Sequence, residues 1–175
     1  SRLLYYMEVI ETFSTNRLIA ERLQISHFSE LCKMHKNPKV MATLGGARSD
    51  DVTQQFLQIN LEHWNRYGYG IWVFRDNTDA QFVGRGGLRN VYVNEKCEVE
   101  LAYALIEIFW GQGLATEMAQ AILQVGFNQL GLVNIVCFTL TTNRASQKVM
   151  EKVGFKYERD IIYGNLPHVL YRITK

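Results

Sequence analysis

A glycine turn stands between two regular patterns in the middle of the chain. The stretch FWGQGLATE (109–117) follows an apolar run that is typical of a strand and precedes a run with helical spacing. Glycines weaken both kinds of element, yet they let the backbone approach an anion without an intervening side chain. The first N–H groups of a helix have no intrahelical acceptor, and the helix dipole adds partial positive charge there. These residues in this order suit the binding of a phosphate group.

The turn alone leaves two interpretations open. Two common phosphate-binding motifs do not fit it. No Gly-Lys-Ser/Thr follows, and Thr116 stands where a GxGxxG motif would have its third glycine. The turn is therefore either an anion site of another kind or simply a tight start for the following helix.

The elements around the turn follow from hydrophobic periodicity. Seven segments have the pattern of strands: 17–23, 69–76, 80–91, 97–106, 134–140, 155–163 and 168–174. Four segments have helical spacing: 27–37, 51–68, 114–130 and 143–153. A three-residue turn joins the second and third strands, which predicts an antiparallel hairpin. Asn143 is the expected cap of the last helix and Gly154 its expected stop. This order predicts a mixed α/β (α+β) fold.

Composition narrows the class of protein. The chain has 175 residues, a net charge of +2 and 47% hydrophobic residues, which predicts one ordinary globular domain over residues 1–175. Scattered Lys and Arg residues predict no nucleic-acid partner, and no apolar run reaches the ~20 residues of a membrane helix. The cysteines and histidines lack the spacing of a disulfide framework or a metal site, so no metal is expected. We expect a cytoplasmic protein, with Met7 as its natural start and residues 1–6 foreign or disordered.

Three segments taken together resemble one enzyme family. TNRLIAERL (15–23), ELAYALIEIFWGQGLATEM (100–118) and NRASQKVMEKVGF (143–155) have the order and separation of motifs in the GNAT family of N-acetyltransferases. FVGRGGL (82–88) resembles the glycine-bearing strand that precedes them. The chain is most similar to the subgroup of ribosomal-protein N-terminal (alanine/serine) acetyltransferases. The resemblance implies a mostly antiparallel sheet of six to seven strands, flanked by helices, whose central parallel strands (97–105 and 134–140) splay apart.

The resemblance also implies acetyl-CoA as the acetyl donor. Its pantetheine arm would bind the exposed strand backbone as an added strand does, and its pyrophosphate would bind the N–H groups of the glycine turn. Trp110 stands where the family in general has Gln or Arg, as is common in the subgroup. The implied coenzyme-binding residues are Tyr103, Ala104, Leu105, Gln112, Gly113, Leu114, Ala115, Thr116 and Asn143.

Transfer of an acetyl group to an amine needs a base for the amine proton and a proton for the leaving thiolate. Glu100 is the candidate base, unless it only pairs with an arginine or faces solvent; Glu98 has the same strand parity and is the weaker substitute. Ser146 matches the subgroup serine that is proposed to protonate the thiolate, and otherwise it is an ordinary serine of a first helical turn. Tyr103 is the other candidate donor, or an aromatic wall of the cleft.

These observations predict an acetyl-CoA-dependent N-acetyltransferase that acts by direct transfer in a ternary complex, as a monomer or homodimer. The acceptor stays open between a protein N-terminus and a small amine, such as a polyamine, an aminoglycoside or an amino acid derivative. Residues 27–68 and the turn 163–168 are expected to form the acceptor pocket. The alternative from another class is a non-catalytic acyl-CoA-binding module.

Overall fold

One mixed sheet of eight strands forms the centre of the computed structural model, which describes residues 9–175. The expectation for residues 1–6 lies outside this part of the chain. The strands, in chain order, are β1 (Thr12–Ser14), β2 (Leu18–Arg22), β3 (Ile71–Asp76), β4 (Phe82–Val93), β5 (Lys96–Leu105), β6 (Asn134–Leu140), β7 (Lys156–Tyr163) and β8 (Leu166–Thr174). Their order in the sheet is β1-β2-β3-β4-β5-β6-β8-β7. Every neighbouring pair is antiparallel except β5 and β6.

The sheet confirms the predicted fold class and adds one strand. The seven predicted segments correspond to β2 through β8, and β3 and β4 form the predicted hairpin. The additional strand is β1, which has three residues and pairs with β2 at the edge of the sheet. Three residues are too few to give an alternating pattern that stands out from a loop, and this explains why the sequence did not reveal it.

Within residues 9–175, five α-helices flank the sheet: α1 (Phe28–His35), α2 (Pro38–Met41), α3 (Asp50–Tyr67), α4 (Leu114–Gln124) and α5 (Arg144–Val153). A π-helical segment, Val125–Gln129, extends α4 to nearly its predicted end. The predicted helix 27–37 stops earlier, at His35. The Asn37 side chain accepts hydrogen bonds from the N–H groups of Lys39 and Val40 and so caps α2, whose first residue is Pro38. A proline suits a first helical position because its missing N–H would have no partner there.

Helices lie on both faces of the sheet, as two successive residues of β4 show. Arg85 of β4 donates a hydrogen bond to His35 of α1, and its guanidinium lies over the Phe56 ring of α3. The next residue, Gly86, faces α4, since a Cβ placed there would lie 3.1 Å from the Met118 side chain. Successive strand residues point to opposite faces. Therefore α1 and α3 cover one face of the sheet and α4 covers the other.

The structure explains why the strand FVGRGGL has a glycine at position 84. A Cβ on this residue would lie 2.1 Å from the carbonyl oxygen of Ala104 on β5. No side chain fits at that distance, so only glycine permits this close approach of the two strands. The close pairing fixes β5, which carries much of the predicted site.

The two parallel strands part as predicted. Glu100 and Val136 form the one partner pair between β5 and β6 in the part of the chain that the structure describes. After this pair, β6 continues its ladder with β8 on its other side, while β5 continues its ladder with β4. The backbone edges of β5 and β6 that face each other are thereby left open, and they lie at the predicted site.

Candidate active site

A cavity of about 630 Å³ opens where β5 and β6 part. Residues 100–105 of β5, the glycine turn, the first turn of α5, the region of α2 and α3, and the arginines of β4 form its wall. The predicted site residues that line it are Glu100, Tyr103, Ala104, Leu105, Gly113, Leu114, Ala115, Thr116, Asn143 and Ser146. Gln112 is exposed and does not line it. The fold thus brings distant segments to one cavity, and the role of each residue stays a prediction.

The glycine turn has the backbone geometry that its sequence indicated. Gly113 caps the N-terminus of α4 with φ +77°, in the left-handed region that glycine adopts at little cost. The indole N–H of Trp110 donates a hydrogen bond of 2.9 Å to the carbonyl oxygen of Leu105, which ties the turn to the end of β5. The Gln112 amide donates to the carbonyl of Ile108 at 3.0 Å. Both hydrogen bonds therefore tie the turn back to the residues that precede its glycines.

Hydrogen bonds from Thr15 and Arg17 to Glu117 and Gln112 hold the same turn, and we call this group of residues the clamp. The sequence analysis did not identify it. The Glu117 carboxylate in the first turn of α4 accepts hydrogen bonds from the Thr15 hydroxyl at 2.6 Å and from the backbone N–H of Arg17 at 2.9 Å. The Arg17 guanidinium donates to Glu117 and to the carbonyl of Gln112, both at 2.8 Å. Burial would raise the pKa of Glu117, but the bonds from Thr15 and Arg17 outweigh it and lower this pKa. These residues lie within the TNR and LATE parts of the quoted motifs, the one signal that could have revealed them.

Two hydroxyl groups meet inside the cavity. The Tyr103 phenol and the Ser146 hydroxyl are 2.8 Å apart and form a hydrogen bond. Asn143 positions the serine, because its side-chain oxygen accepts from the Ser146 N–H at 3.2 Å while its amide donates to Thr139 at 3.0 Å. The predicted cap of α5 is thereby confirmed. Burial raises the pKa of Tyr103, so the phenol is protonated at neutral pH.

Glu100 is a buried carboxylate in the cavity, on the strand face opposite to Tyr103. It forms an ion pair of 3.2 Å with Arg89, directly across from it on β4. Burial raises the pKa of Glu100 although Arg89 acts against the shift. The predicted arginine pairing is thus present, and a raised pKa is also what a catalytic base requires. Glu98 does not line this cavity and pairs with Arg172 at 2.8 Å.

A buried polar chain runs from α3 to the cavity, and the sequence analysis missed it as well. The Nε–H of Arg85 donates to Nε2 of His35 at 3.0 Å, and Nδ1 of His35 lies 2.9 Å from the Thr53 hydroxyl. Burial, with help from Arg85 and Arg48, lowers the pKa of His35 to about 3. His35 is therefore neutral, with Nε2 as acceptor and its proton on Nδ1 toward Thr53. The one sequence signal was an arginine inside a glycine-rich apolar strand.

Of the two segments expected to form the acceptor pocket, only one lines the cavity. Residues of 27–68 line the cavity, among them Val40, Arg48 and Phe56. The turn 163–168 does not line it directly. Tyr163 instead packs on Phe138, a cavity residue, with ring centroids 4.6 Å apart.

The described part of the chain has neither a metal-binding cluster nor a membrane-spanning helix. Among residues 9–175 no group of three or more His, Cys, Asp and Glu side chains could hold a metal ion. Within the same range, no helix is both long enough and apolar enough to cross a membrane.

The sequence matches a known family over most of its length. The family model for the acetyltransferase (GNAT) domain aligns with residues 17–156. The chain belongs to this family. It is thus an enzyme of the acetyltransferase class, and the non-catalytic binding module loses its support.

Relatives and solved structures agree with this assignment. YoaA of Bacillus subtilis, an uncharacterized N-acetyltransferase, is 35% identical over 156 residues, which cover 86% of this chain and 88% of YoaA. An acetyltransferase from Agrobacterium tumefaciens superposes with a TM-score of 0.83 at 23% identity, covering 94% of each chain. RimL, a ribosomal L7/L12 α-N-protein acetyltransferase solved with coenzyme A, gives a TM-score of 0.78 at 19% identity and covers 94% of this chain and 98% of its own. At these identities the two structures establish the GNAT fold alone.

Proposed function

We propose that this GNAT protein transfers the acetyl group of acetyl-CoA directly to a primary amine, in a ternary complex. One observation carries the proposal: a single cavity joins a helix N-terminus with a glycine turn, an open strand edge, a hydroxyl pair and a buried carboxylate. The fold is shared with RimL, which was solved with coenzyme A. The acceptor is a protein N-terminus or a small molecule.

The groups along the cavity wall are suited to coenzyme A from its phosphates to its pantetheine arm. The unpaired N–H groups at the start of α4 suit a pyrophosphate, because they combine hydrogen-bond donors with the positive end of the helix dipole. The open edge of β5 at Tyr103 and Ala104 suits the amide groups of pantetheine. The carbonyl of Leu105 accepts a hydrogen bond from Trp110 and has a second lone pair, so it can still accept a bond from pantetheine.

In the proposed reaction the amine nitrogen bonds to the thioester carbonyl carbon, the carbon–sulfur bond breaks, and coenzyme A leaves as the thiol. Glu100 takes the proton that the amine loses. Its burial raises its pKa and so makes it a stronger base than an exposed carboxylate, while the charge of Arg89 favours its ionised form. The leaving sulfur takes a proton from the pair of Tyr103 and Ser146. The hydrogen bond between these hydroxyls lets one group replace the proton that the other donates.

Two measurements test the proposal. Wild-type protein is incubated with acetyl-CoA and a panel of small amines and peptides, and thiol release is recorded together with the mass of the product. We expect stoichiometric thiol and N-acetylated amine. The absence of any acetylated amine, while coenzyme A still binds, contradicts the proposal.

A double-mutant cycle of Tyr103→Phe and Ser146→Ala then tests the hydroxyl pair. General acid catalysis contributes about 10²–10⁴-fold. Each single variant should lower kcat by about 10²-fold, and the double variant should lower it little further, because the two groups act as one donor. Wild-type kcat in both single variants refutes the assignment of this pair as the acid.

A further inference from the structure

Three arginines converge on the side of the cavity away from the glycine turn. Arg85 and Arg89 point from the same face of β4, two alternations apart, and Arg48 reaches the cavity from the loop before α3. The guanidinium groups of Arg48 and Arg85 lie over the Phe56 ring, at 5.7 and 4.5 Å from its centroid. Positive charge and an aromatic face are thus concentrated in one part of the wall.

Arg85 is the most deeply buried of the three and has no carboxylate partner. Its residue is 5% exposed. Its one hydrogen bond in the described part of the chain goes to His35, which is neutral. Burial, together with the charges of Arg48 and Arg89, lowers the pKa of Arg85 to about 9. The guanidinium still carries its charge at pH 7, but burial and the two neighbouring arginines destabilise that charge.

The single carboxylate of this wall neutralises only one of the three cations. Glu100 pairs with Arg89 at 3.2 Å, and residues 9–175 contain no ion pair to Arg48 or Arg85. The Nε of Arg89 is also buried without a hydrogen-bond partner. An unpaired buried charge is costly, whereas an anion bound beside it forms strong charge-assisted hydrogen bonds. The wall is therefore complementary to an oxyanion.

We infer that the acceptor is a small amine bearing a carboxylate or a similar oxyanion, which binds to Arg85 and Arg48 while its amine faces Glu100. This inference rests on the proposed function and specifies the acceptor of the same site. The cavity of about 630 Å³ must hold the coenzyme arm as well, which leaves room for a molecule of amino acid size. The apolar face of Phe56 would pack against the carbon skeleton between the amine and the acid.

The test compares acceptors that differ only in the acid. The panel contains α-, β- and γ-amino acids, the carboxamide of each, aminoalkylphosphonates, polyamines, and peptides with an acidic first residue. Removing one partner of a buried charge pair costs 2 kcal/mol or more, about 30-fold in kcat/KM. We expect wild-type protein to prefer each accepted acid over its carboxamide by at least about 30-fold. The phosphonates distinguish a carboxylate from a phosphate-like acid.

Variants of the arginines link this preference to the wall. Arg85→Gln and Arg48→Gln should each lower kcat/KM for the acid by at least about 10-fold more than kcat/KM for its carboxamide, so that the preference for the acid falls. Arg66→Gln removes an exposed arginine outside the cavity and should alter neither value. Should Arg85→Gln not fold, Arg48→Gln and competition by an acid without an amine provide the same test. Such an acid should compete with the acceptor and not with acetyl-CoA.

The outcomes separate this inference from the proposed function. Acetylation of polyamines or carboxamides at rates equal to those of the acids overturns the inference and leaves the acetyltransferase function intact. Acetylation of peptides alone also overturns it, in favour of a protein acceptor. No acetylation of any amine contradicts the proposed function itself.

Discussion

The clamp on the glycine turn predicts that Arg17 controls coenzyme affinity without touching the reacting atoms. Arg17→Met keeps the apolar stem and removes two hydrogen bonds of 2.8 Å, one to Glu117 and one to the carbonyl of Gln112. The Arg17 side chain is 45% exposed, so its ion pair with Glu117 is worth about 0.2–1 kcal/mol. The bond to the carbonyl of Gln112 adds about 1 kcal/mol after discounting for solvent. The turn is therefore destabilised by about 1–2 kcal/mol.

This magnitude converts to about 5- to 30-fold weaker binding of coenzyme A, since 1.4 kcal/mol corresponds to a factor of ten. Calorimetric titration with coenzyme A measures it directly. Arg22→Met is the matched control, because Arg22 is the last residue of β2, the strand that Arg17 immediately precedes, but it binds Glu11 and Asn65. A dissociation constant for Arg17→Met within twofold of wild type, or an equal loss in Arg22→Met, refutes the reasoning.

Three further predictions follow from single positions. Gly113→Val forces a β-branched residue to φ +77° and puts a side chain where the phosphates would approach, so coenzyme A should bind at least about tenfold more weakly. The control is Gly131→Val, which has similar strain at φ +69° outside the cavity and should leave the affinity for coenzyme A unchanged in the same titration. Gly84→Ala places its Cβ 2.1 Å from the carbonyl of Ala104 and should lower the free energy of unfolding by about 3 kcal/mol in denaturant titrations, whereas an unchanged value would contradict the close strand approach. Glu100 must be ionised to act as a base, and burial raises its pKa, so kcat/KM should fall as the pH drops. The midpoint of this fall should lie above 4.5, the ordinary pKa of a glutamate. A pH profile without this fall would exclude Glu100 as the base.

Local patterns in the sequence predict those parts of the fold that local physics determines. The glycine turn, the cap at Asn143 and the stop at Gly154 each depend on a few neighbouring residues, and all three are present. Seven strands were predicted for the same reason. The short edge strand β1 and the break before Pro38 lie at the limit of such patterns, since three or four residues give too weak a period.

The hydrogen bonds that hold the site residues in place join distant segments of the chain. Hydrophobic periodicity contains no information about such contacts. The hydrogen bonds between Arg17 and Glu117 join residues that are 100 positions apart, and that between Arg85 and His35 spans 50 positions. Family resemblance identified residues that line the cavity near the glycine turn. It did not identify the part of the cavity wall that Arg48, Arg85 and Arg89 form. Only the folded structure shows that an arginine on a buried strand lacks a carboxylate partner.

The separation of binding from turnover at Glu100 tests the central claim most directly. Glu100→Gln keeps the size of the side chain and its position on β5, and it removes the base. The account predicts that coenzyme A binds to this variant with a dissociation constant within twofold of wild type, while kcat for thiol release falls by at least about 10²-fold. Turnover at the wild-type rate in Glu100→Gln would contradict the account.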